Sequence, residues 1–372
     1  MLAGPYCTML LADLGCDVIK IESPSHPDRS RSIPGCTVEG TSAYFACLNR
    51  NKRSLALDLK DDAAREAFYR LVERSHVVVD NFRPGVTGRL GIDFSRLREH
   101  NPRIVSCSIS GFGATGPRRD APAYDYVIQA LSGTMSLTGD PAGEPVKYGI
   151  SIVDHTAGVF AAFGILAALR RAERTGEGSF LDASLLDTHL SMLTYVAADY
   201  LNCGVEPQRY PHSAHPYLVP SQLFPTRDGH IVVTPMADHM WQALCTALGL
   251  VELGADPELA TAAGRLARRE QVTAAVAAAL AEWATDDALA ALGEAGVPAA
   301  PVNTVAEALA APQVEARQMV VQAGGIRMMG NPIRLGEQRF RPAPSLGEHT
   351  REILAELDPG PEELERLCPA TS

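Results

Sequence analysis

Short apolar strands alternate with helical segments over the first 110 residues, and this alternation limits the folds open to the chain. Strands are predicted at 17–22, 55–59, 77–80 and 103–109, with helical patterns from 61 to about 75 and then to about His100 between them. Strands that alternate with helices at this spacing form parallel βαβ units. We therefore predict an α/β fold with a parallel sheet.

A segment rich in proline, glycine and histidine at 203–221 predicts a crossing between domains. After it, the stretch 224–234 has the pattern of a hairpin whose turn is Asp228-Gly229. The alanine-rich stretch 241–292 favours helices. We predict a large domain over 1–202 and a small α+β domain over 203–310, since 372 residues suffice for two cores.

The bulk composition excludes several classes of function. A formal charge of −11 argues against general binding to nucleic acid or to an anionic membrane surface. We find no apolar run of about 20 residues and no basic leader before an apolar core, so we expect a cytoplasmic protein. The eight cysteines are scattered without C-x-x-C or metal-like spacing, which predicts reduced thiols and no metal site.

Asp154 stands where a predicted strand end, 150–153, gives way to a helical pattern that begins near Val159. One interpretation makes Asp154 the N-cap of that helix, with its carboxylate accepting a backbone N–H. The other makes it a nucleophile, because ligands of α/β proteins bind at the carboxyl ends of the strands. Position alone does not choose between the two.

The segment Gly111 to Gly116 matches G-x-G-x-x-G, but Pro117 and Pro122 follow it where a dinucleotide site requires a helix. A nicotinamide oxidoreductase is therefore an alternative that the local sequence disfavours. A loop whose glycines allow close backbone approach fits the pattern better.

Short motifs extend in a fixed order along nearly the whole chain. They lie at 3–15, 17–22, 49–54, 81–85, 89–91, 101–103, 108–113, 129–133, 175–178 and 346–350. Together they resemble the class III CoA-transferases, the family of formyl-CoA and carnitine-CoA transferases and of α-methylacyl-CoA racemase. The resemblance implies a Rossmann-like large domain, a segment 311–372 that returns to it, and an interlocked homodimer. Family members usually begin with a strand of about 15 residues that we expect to be missing before Leu2.

By this resemblance, Asp154 attacks the acyl-CoA carbonyl, and the reaction proceeds through an aspartyl anhydride and an aspartyl-CoA thioester. The loop that contains Gly111 and Gly113 would lie over the intermediate and stabilise its oxyanions. CoA is then a substrate, and no permanently bound cofactor is expected. The residues that match the family's CoA contacts are Leu57, Lys60, Asn81, Phe82, Arg83, Arg89, Ala123 and Tyr124, with Arg53 a further candidate for a phosphate contact.

Two alternatives within the resemblance concern the reaction. The racemase branch needs a histidine as a second acid or base, and this chain has Tyr124 at that position. A CoA-binding protein without catalysis is the other alternative.

The segments around 199–201, 213–216 and 219–222 resemble the branch that uses succinyl-CoA and small dicarboxylic acids. His215, with His212 and Arg209, could bind the distal carboxylate. Alternatively, His215 only caps a turn.

Overall fold

The computed structural model describes residues 1–38 and 40–368, which divide into two compact units. The first unit contains residues 1–133, 148–197 and those from 312 onward, and the second contains 134–147 and 198–311. The sequence placed 134–147 in the large domain and the boundary at 202. The structure groups 134–147 with the second unit, where Arg209 Nη1 donates to the carbonyls of Asp140, Gly143 and Glu144 at 2.8, 2.8 and 3.1 Å.

The strands fall into small sheets. They are β1 (Val18–Glu22), β2 (Thr37–Val38), β3 (Thr41–Ser42), β4 (Lys52–Ala56), β5 (Val77–Asp80), β6 (Val105–Ser110), β7 (Ser179–Ser184), β8 (Gln222–Pro225), β9 (His230–Val233), β10 (Ala299–Pro301), β11 (Val320–Ala323) and β12 (Ile326–Met329). In the first unit β1 pairs with β4, and β5, β6 and β7 form a second sheet in that order. All of these pairs are parallel, which confirms the predicted parallel α/β architecture.

Helices connect and cover these sheets. They are α1 (Ala3–Asp13), α2 (Ala43–Asn49), α3 (Asp62–Arg74), α4 (Val86–Leu90), α5 (Phe94–His100), α6 (Asp125–Leu131), α7 (Thr134–Leu137), α8 (Ile152–Thr175), α9 (Leu185–Ser191), α10 (Thr194–Cys203), α11 (Asp238–Ala247), α12 (Val251–Ala255), α13 (Ala262–Ala267), α14 (Arg269–Ala281), α15 (Thr285–Glu294), α16 (Val305–Ala310), α17 (Pro312–Ala316), α18 (Thr350–Ala355) and α19 (Pro361–Leu367). Short 3-10 turns lie at Arg29–Ser32, Pro211–Ser213 and Pro257–Leu259.

The core of the first unit has two parts. One packs α3 and α5 beside β4, with Leu55, Phe68 and Leu97 buried. The other joins α1 and α8 to the sheet of β5, β6 and β7, because alternate residues of β6 such as Cys107 and Ile109 point into it.

Helix α1 crosses α8 at Gly158, where a Cβ would lie 2.9 Å from the carbonyl oxygen of Ala3. A side chain at this position would push the two helices apart. The glycine therefore sets how closely α1 approaches α8.

By length and composition α8 could cross a membrane, a test that core helices of soluble proteins also pass. Its buried residues include Val153, Ala157 and Ile165, and its 24 residues contact α1, β6 and β7.

The second unit is built on an antiparallel sheet of β8, β9 and β10 and a group of helices. The hairpin predicted at 224–234 is confirmed, with Pro225 opposite His230 across the turn. Trp241, Phe224 and Leu280 are buried in its core.

Three local predictions were wrong. The strand expected at 55–59 lies at Lys52–Ala56, where it pairs with β1 from Val18 onward. The strand end expected at 150–153 is absent from the described chain, since α8 already begins at Ile152. The sequence after Asp187 predicts one long helix to about Asn202, but this helix is interrupted after Ser191, and Thr194 takes a φ of 33°.

Candidate active site at the start of helix α8

The loops that carry most of the candidate CoA-binding residues follow the carboxyl ends of parallel strands. Residues 57–60 follow β4, residues 81–85 follow β5, and residues 111–124 follow β6. Ligands of α/β proteins bind at this edge of a sheet, because the loops there are free of the packing that holds the strands. The first unit thus places these segments where a ligand is expected.

Asp154 is the third residue of α8, within its first turn. The predicted N-cap role for Asp154 is wrong, because the helix starts two residues earlier after Ser151, whose side chain caps nothing. The cap comes instead from Asp125 at the start of α6. Asp125 Oδ2 accepts the N–H of Val153 at 2.8 Å and the N–H of Asp154 at 3.2 Å.

The electrostatics of Asp154 differ from those of a surface carboxylate. Burial, and then the negative charge of Asp125, raises the pKa of Asp154 to about 6. The carboxylate of Asp125 also accepts a third donor, Gln129 Nε2, at 2.5 Å. Asp154 therefore titrates near neutrality, in the range where a carboxylate can act as a nucleophile or exchange a proton.

His155 follows Asp154 but is held away by its own contacts. Its Nδ1 lies 2.7 Å from the carbonyl oxygen of Ser151, and its ring packs edge-on against Tyr6 at 4.8 Å between centroids. The sequence predicts that His155 points elsewhere if the helix has begun at Asp154, and these contacts agree with that prediction.

The glycine-rich stretch that begins at Gly111 is a loop, as predicted, and it supports the segment before α6. A Cβ at Gly111 would lie 2.2 Å from Ala123 Cβ, so only glycine allows this approach. Ala123 stands two residues before Asp125. The loop therefore positions the residue that caps α8.

Two N–H groups of this loop cannot stabilise an oxyanion as expected, because each already donates to a side chain. The Gly113 N–H donates to Ser110 Oγ at 3.1 Å, and the Ala114 N–H donates to Asp182 Oδ2 at 2.8 Å. Gly113 has a φ of +82°, which glycine adopts readily and other residues rarely do. These contacts make Gly113 a residue of the loop's internal structure.

The loop after β5 and the residues around Tyr124 present exposed side chains. Phe82 is 43% exposed and Tyr124 is 66% exposed. The Asn81 amide donates to the carbonyl of Ile109, which fixes the start of the loop. Exposed rings beside a strand end can stack on a planar ligand such as a base.

Arg83, Arg89 and Lys60 are exposed, and within 1–38 and 40–368 none of them forms an ion pair with a carboxylate. Arg53 differs, because Asp17, Glu352 and Glu356 surround it at 2.5, 3.1 and 2.6 Å. Those carboxylates raise the pKa of Arg53 and occupy its donors. Arg53 is therefore a structural residue, while the other three cations remain open to a phosphate.

Leu57 contributes nothing to a ligand through its side chain, which lies in the core of the first unit. Its N–H donates to the carbonyl of Glu22 at 2.8 Å. Any contact of Leu57 with CoA must therefore use its carbonyl.

In the second unit, His215 caps a turn. Its Nδ1 accepts the N–H groups of Tyr217 and Leu218, both at 3.1 Å. Burial and the charge of Arg269 lower the pKa of His215, so the ring is held neutral. A role in binding a carboxylate would have to use Nε2. Arg209, offered as its companion, instead holds the loop at 140–144.

Sequence reasoning missed Asp125 and Gln129 as parts of the site. Gln129 opens the motif at 129–133, and its spacing of four residues from Asp125 indicates that the two share a face if the segment is helical. No sequence signal tied them to the start of α8, because that contact spans 28 residues. The part of the chain that the structure describes holds no group of three or more acidic, histidine or cysteine side chains suited to a metal ion.

The family model described as CoA-transferase family III matches residues 1–350. An acetyl-CoA:oxalate CoA-transferase of Acetobacter aceti is 40% identical over 96% of this chain and 92% of its own length. A succinyl-CoA:mesaconate CoA-transferase of Haloarcula marismortui is 41% identical over 96% and 93%. A succinate–glutarate CoA-transferase of Agrobacterium fabrum is 37% identical over 96% and 93%.

Solved structures agree with these relatives. A CAIB/BAIF family protein from Brucella suis has a TM-score of 0.83 and 39% identity, over 96% of each chain. A protein from Mycobacterium tuberculosis has a TM-score of 0.85 and 28% identity, over 94% of each chain.

Proposed function

The chain belongs to CoA-transferase family III and is a CoA-transferase, and from this premise we propose that it moves CoA from succinyl-CoA to a small dicarboxylic acid through Asp154. The observation that carries the proposal is the placement of Asp154. It is a half-buried carboxylate at the start of α8, with a pKa raised to about 6, and within residues 1–38 and 40–368 its side chain forms no ion pair with a cation.

The proposed reaction begins when a carboxylate oxygen of Asp154 attacks the thioester carbonyl of the donor. The C–S bond breaks, CoA leaves as a thiolate, and a mixed anhydride forms. The thiolate then attacks the aspartyl carbonyl, releasing the donor acid and leaving an aspartyl-CoA thioester.

The acceptor carboxylate next attacks this thioester and expels the CoA thiolate, which gives a second anhydride. Attack of the thiolate on the acceptor carbonyl forms the new acyl-CoA and restores Asp154. The first half-reaction starts from the ionised carboxylate of Asp154 and the second from that of the acceptor, so the first step requires Asp154 to be ionised.

We propose that Arg83, Arg89 and Lys60 bind the phosphates of CoA. These side chains are exposed and form no ion pair with a carboxylate of the described chain. Asn81 and Phe82 would receive the adenine. The carbonyl of Leu57 and the residues Ala123 and Tyr124 would lie along the rest of the ligand. An acidic protein binds a polyanion only through such a local cationic patch.

The dicarboxylate class is supported by the relatives, whose names contain oxalate, mesaconate and glutarate. His215 Nε2 is our proposed donor to the distal carboxylate. The racemase alternative lacks a base here, because Tyr124 takes the place of the histidine it requires.

A panel of acids tests the acceptor class. Wild-type protein is incubated with succinyl-CoA and, separately, oxalate, mesaconate, glutarate, acetate or carnitine, and each new thioester is measured by mass. We expect transfer to at least one of the three dicarboxylates and slower transfer to acetate and carnitine. Preferential transfer to a monocarboxylic acid would contradict the proposed class.

We also propose that two copies associate through the exposed side of α8. Val159, Phe160, Phe163 and Leu166 lie on one side of the helix, and Phe163 is 71% exposed. An apolar stripe of this kind on a folded chain is typical of a protein interface. Phe163→Glu should turn a dimer into smaller or aggregated species in sedimentation analysis, while Glu173→Gln on the same helix should not.

A further inference from the structure

The first turn of α8 is capped by another helix. The first N–H groups of a helix have no partner within it, and a side chain at the N-cap usually accepts one of them. Ser151 at the N-cap of α8 does not do so. Asp125 accepts two of these N–H groups instead, including the one that belongs to Asp154 itself.

Gln129 extends this contact by one helical turn. Its Nε2 donates to Asp125 Oδ1 at 2.5 Å, and its Oε1 accepts the N–H of Tyr148 at 2.8 Å. Asp125 and Gln129 are both buried, so these bonds are protected from water. Together they fix the backbone on both sides of the turn that leads into α8.

The support continues behind α6. Because Gly111 has no side chain, Ala123 approaches it closely, and α6 begins two residues later with Asp125. A shift of α6 would therefore move the cap, and a shift of the cap would move Asp154. The position of Asp154 depends on this series of contacts and on few contacts of its own side chain.

We propose that Asp125 is a positioning residue for the transfer reaction, holding the backbone of Asp154 and keeping that carboxylate strongly nucleophilic through its own negative charge. The inference rests on the proposed role of Asp154 as the nucleophile. Asp125 itself touches no substrate atom in this account.

Charge explains why an aspartate serves better here than a neutral cap. Two nearby carboxylates disfavour each other's ionised form, and three donors bond to the carboxylate of Asp125. After burial, the charge of Asp125 raises the pKa of Asp154 and with it the basicity of that carboxylate. The other groups that face the pair electrostatically are Tyr44 on α2, His155, His189 on α9 and the α-amino group of Met1.

The test compares pH profiles. For wild type, Asp125→Asn and Asp93→Asn, kcat and KM for succinyl-CoA are measured between about pH 5 and pH 8. Asp93 is a matched control, because its carboxylate caps α5 by accepting the N–H groups of Ser95 and Arg96. Thermal unfolding is followed for each protein.

We expect Asp125→Asn to move the acid limb of kcat down by about one pH unit, since the neighbouring charge is removed. At about pH 8 its kcat should fall roughly ten- to hundredfold through weaker nucleophilicity and poorer placement, with KM for succinyl-CoA unchanged. Asp93→Asn should keep the wild-type profile.

An Asp125→Asn profile that coincides with the wild type would overturn the proposal. So would a loss of kcat that follows a lower melting temperature with an unmoved acid limb, because that describes a purely structural residue. If wild-type protein forms no CoA adduct, the proposed function fails first, and the two failures are thereby distinguished.

Should Asp125→Asn fail to fold, Gln129→Met gives a second test. It removes the donor to Asp125 and the acceptor for the Tyr148 N–H while keeping the volume of the side chain. We expect a several-fold lower kcat with KM unchanged. A folded Gln129→Met protein with wild-type kcat would contradict the positioning network.

Discussion

Two aspartates of the first unit, the buried Asp13 and the half-buried Asp154, have opposite electrostatic surroundings. The Asp13 side chain is 0% exposed, and Arg50, 2% exposed, donates to it from Nε at 3.0 Å and Nη2 at 2.6 Å. Asn51 Nδ2 adds a third bond at 2.8 Å. For Asp154, burial raises the pKa most, and the largest effect of a neighbouring charge comes from another carboxylate, Asp125.

The fold thus contains one carboxylate with a structural role and one suited to chemistry. A buried carboxylate that is matched by a guanidinium and an amide is inert, and removing one partner leaves a charge that is expensive to bury. A buried carboxylate placed beside a like charge is destabilised when ionised and is therefore reactive. Proteins accept that local cost at sites where activity requires it.

The largest expected effect separates the two aspartates by activity. Asp154→Ala should reduce the CoA-transfer rate by about 10⁴-fold or more, as for removal of other covalent nucleophiles. Its melting temperature should not fall, because the variant removes a destabilised charge. If the variant, purified free of wild-type enzyme, transfers CoA at a rate within tenfold of wild type, Asp154 is not the nucleophile.

The next effect separates them by stability. Arg50→Met should lower the free energy of unfolding by about 3–5 kcal/mol, because Asp13 is left as an uncompensated buried charge. Urea denaturation measures this loss. Arg339→Met is the control, since its partner Glu337 and Arg339 itself are exposed, and there a change below about 1 kcal/mol is expected.

A third prediction uses pH to show that activity and stability oppose each other at Asp154. Its pKa of about 6 in the folded protein exceeds the ordinary value of 3.8, so its contribution to stability is present below about pH 4 and is lost as pH rises through about 6. The transfer rate should rise over the same interval. As the pH rises from about 4 to about 7, the free energy of unfolding of Asp154→Asn should increase by about 2–3 kcal/mol relative to that of wild type.

Calorimetry or urea titration at several pH values checks that gain. An Asp154→Asn protein whose stability relative to wild type does not change with pH would show that the carboxylate is not destabilised by its surroundings. At Asp13, by contrast, we expect no pH-dependent change of stability that accompanies a change of activity.

The smallest expected effect concerns arginines. Arg50 forms an ion pair with Asp13, whereas Arg83 and Arg89 form none within the described chain. Arg89→Gln should raise KM for succinyl-CoA about tenfold and leave kcat nearly unchanged, because it removes a phosphate contact remote from the carbonyl. Steady-state kinetics measures this change, with Arg98→Gln as the exposed control. An unchanged KM in Arg89→Gln would show that Arg89 does not bind CoA.

Much of the fold follows from local sequence. The β-branched run at 77–80 forms β5, Asp61 caps α3 by accepting the N–H of Ala64, and Asp228-Gly229 turns the hairpin. Each of these depends on residues close in sequence. The strand at Lys52–Ala56 was misplaced because its bounds are set by pairing with β1, a contact that local pattern does not contain.

The site was only partly predictable. The resemblance pointed to Asp154, and the loops after β4, β5 and β6 lie where α/β folds bind ligands. The cap by Asp125 joins residues 28 and 29 positions apart, and the bond that occupies the Ala114 N–H depends on β7 packing beside β6. Such contacts arise only once the chain has folded.

The most direct test of Asp154 as the covalent residue is the intact mass of the protein after incubation with succinyl-CoA. Wild type and Asp93→Ala should gain the mass of one CoA less one water, and hydroxylamine should release the CoA and leave a hydroxamate that peptide mapping locates at Asp154. Asp154→Ala should show no adduct. An adduct on Asp154→Ala, or none on wild-type protein that is transferring CoA, would contradict the covalent mechanism.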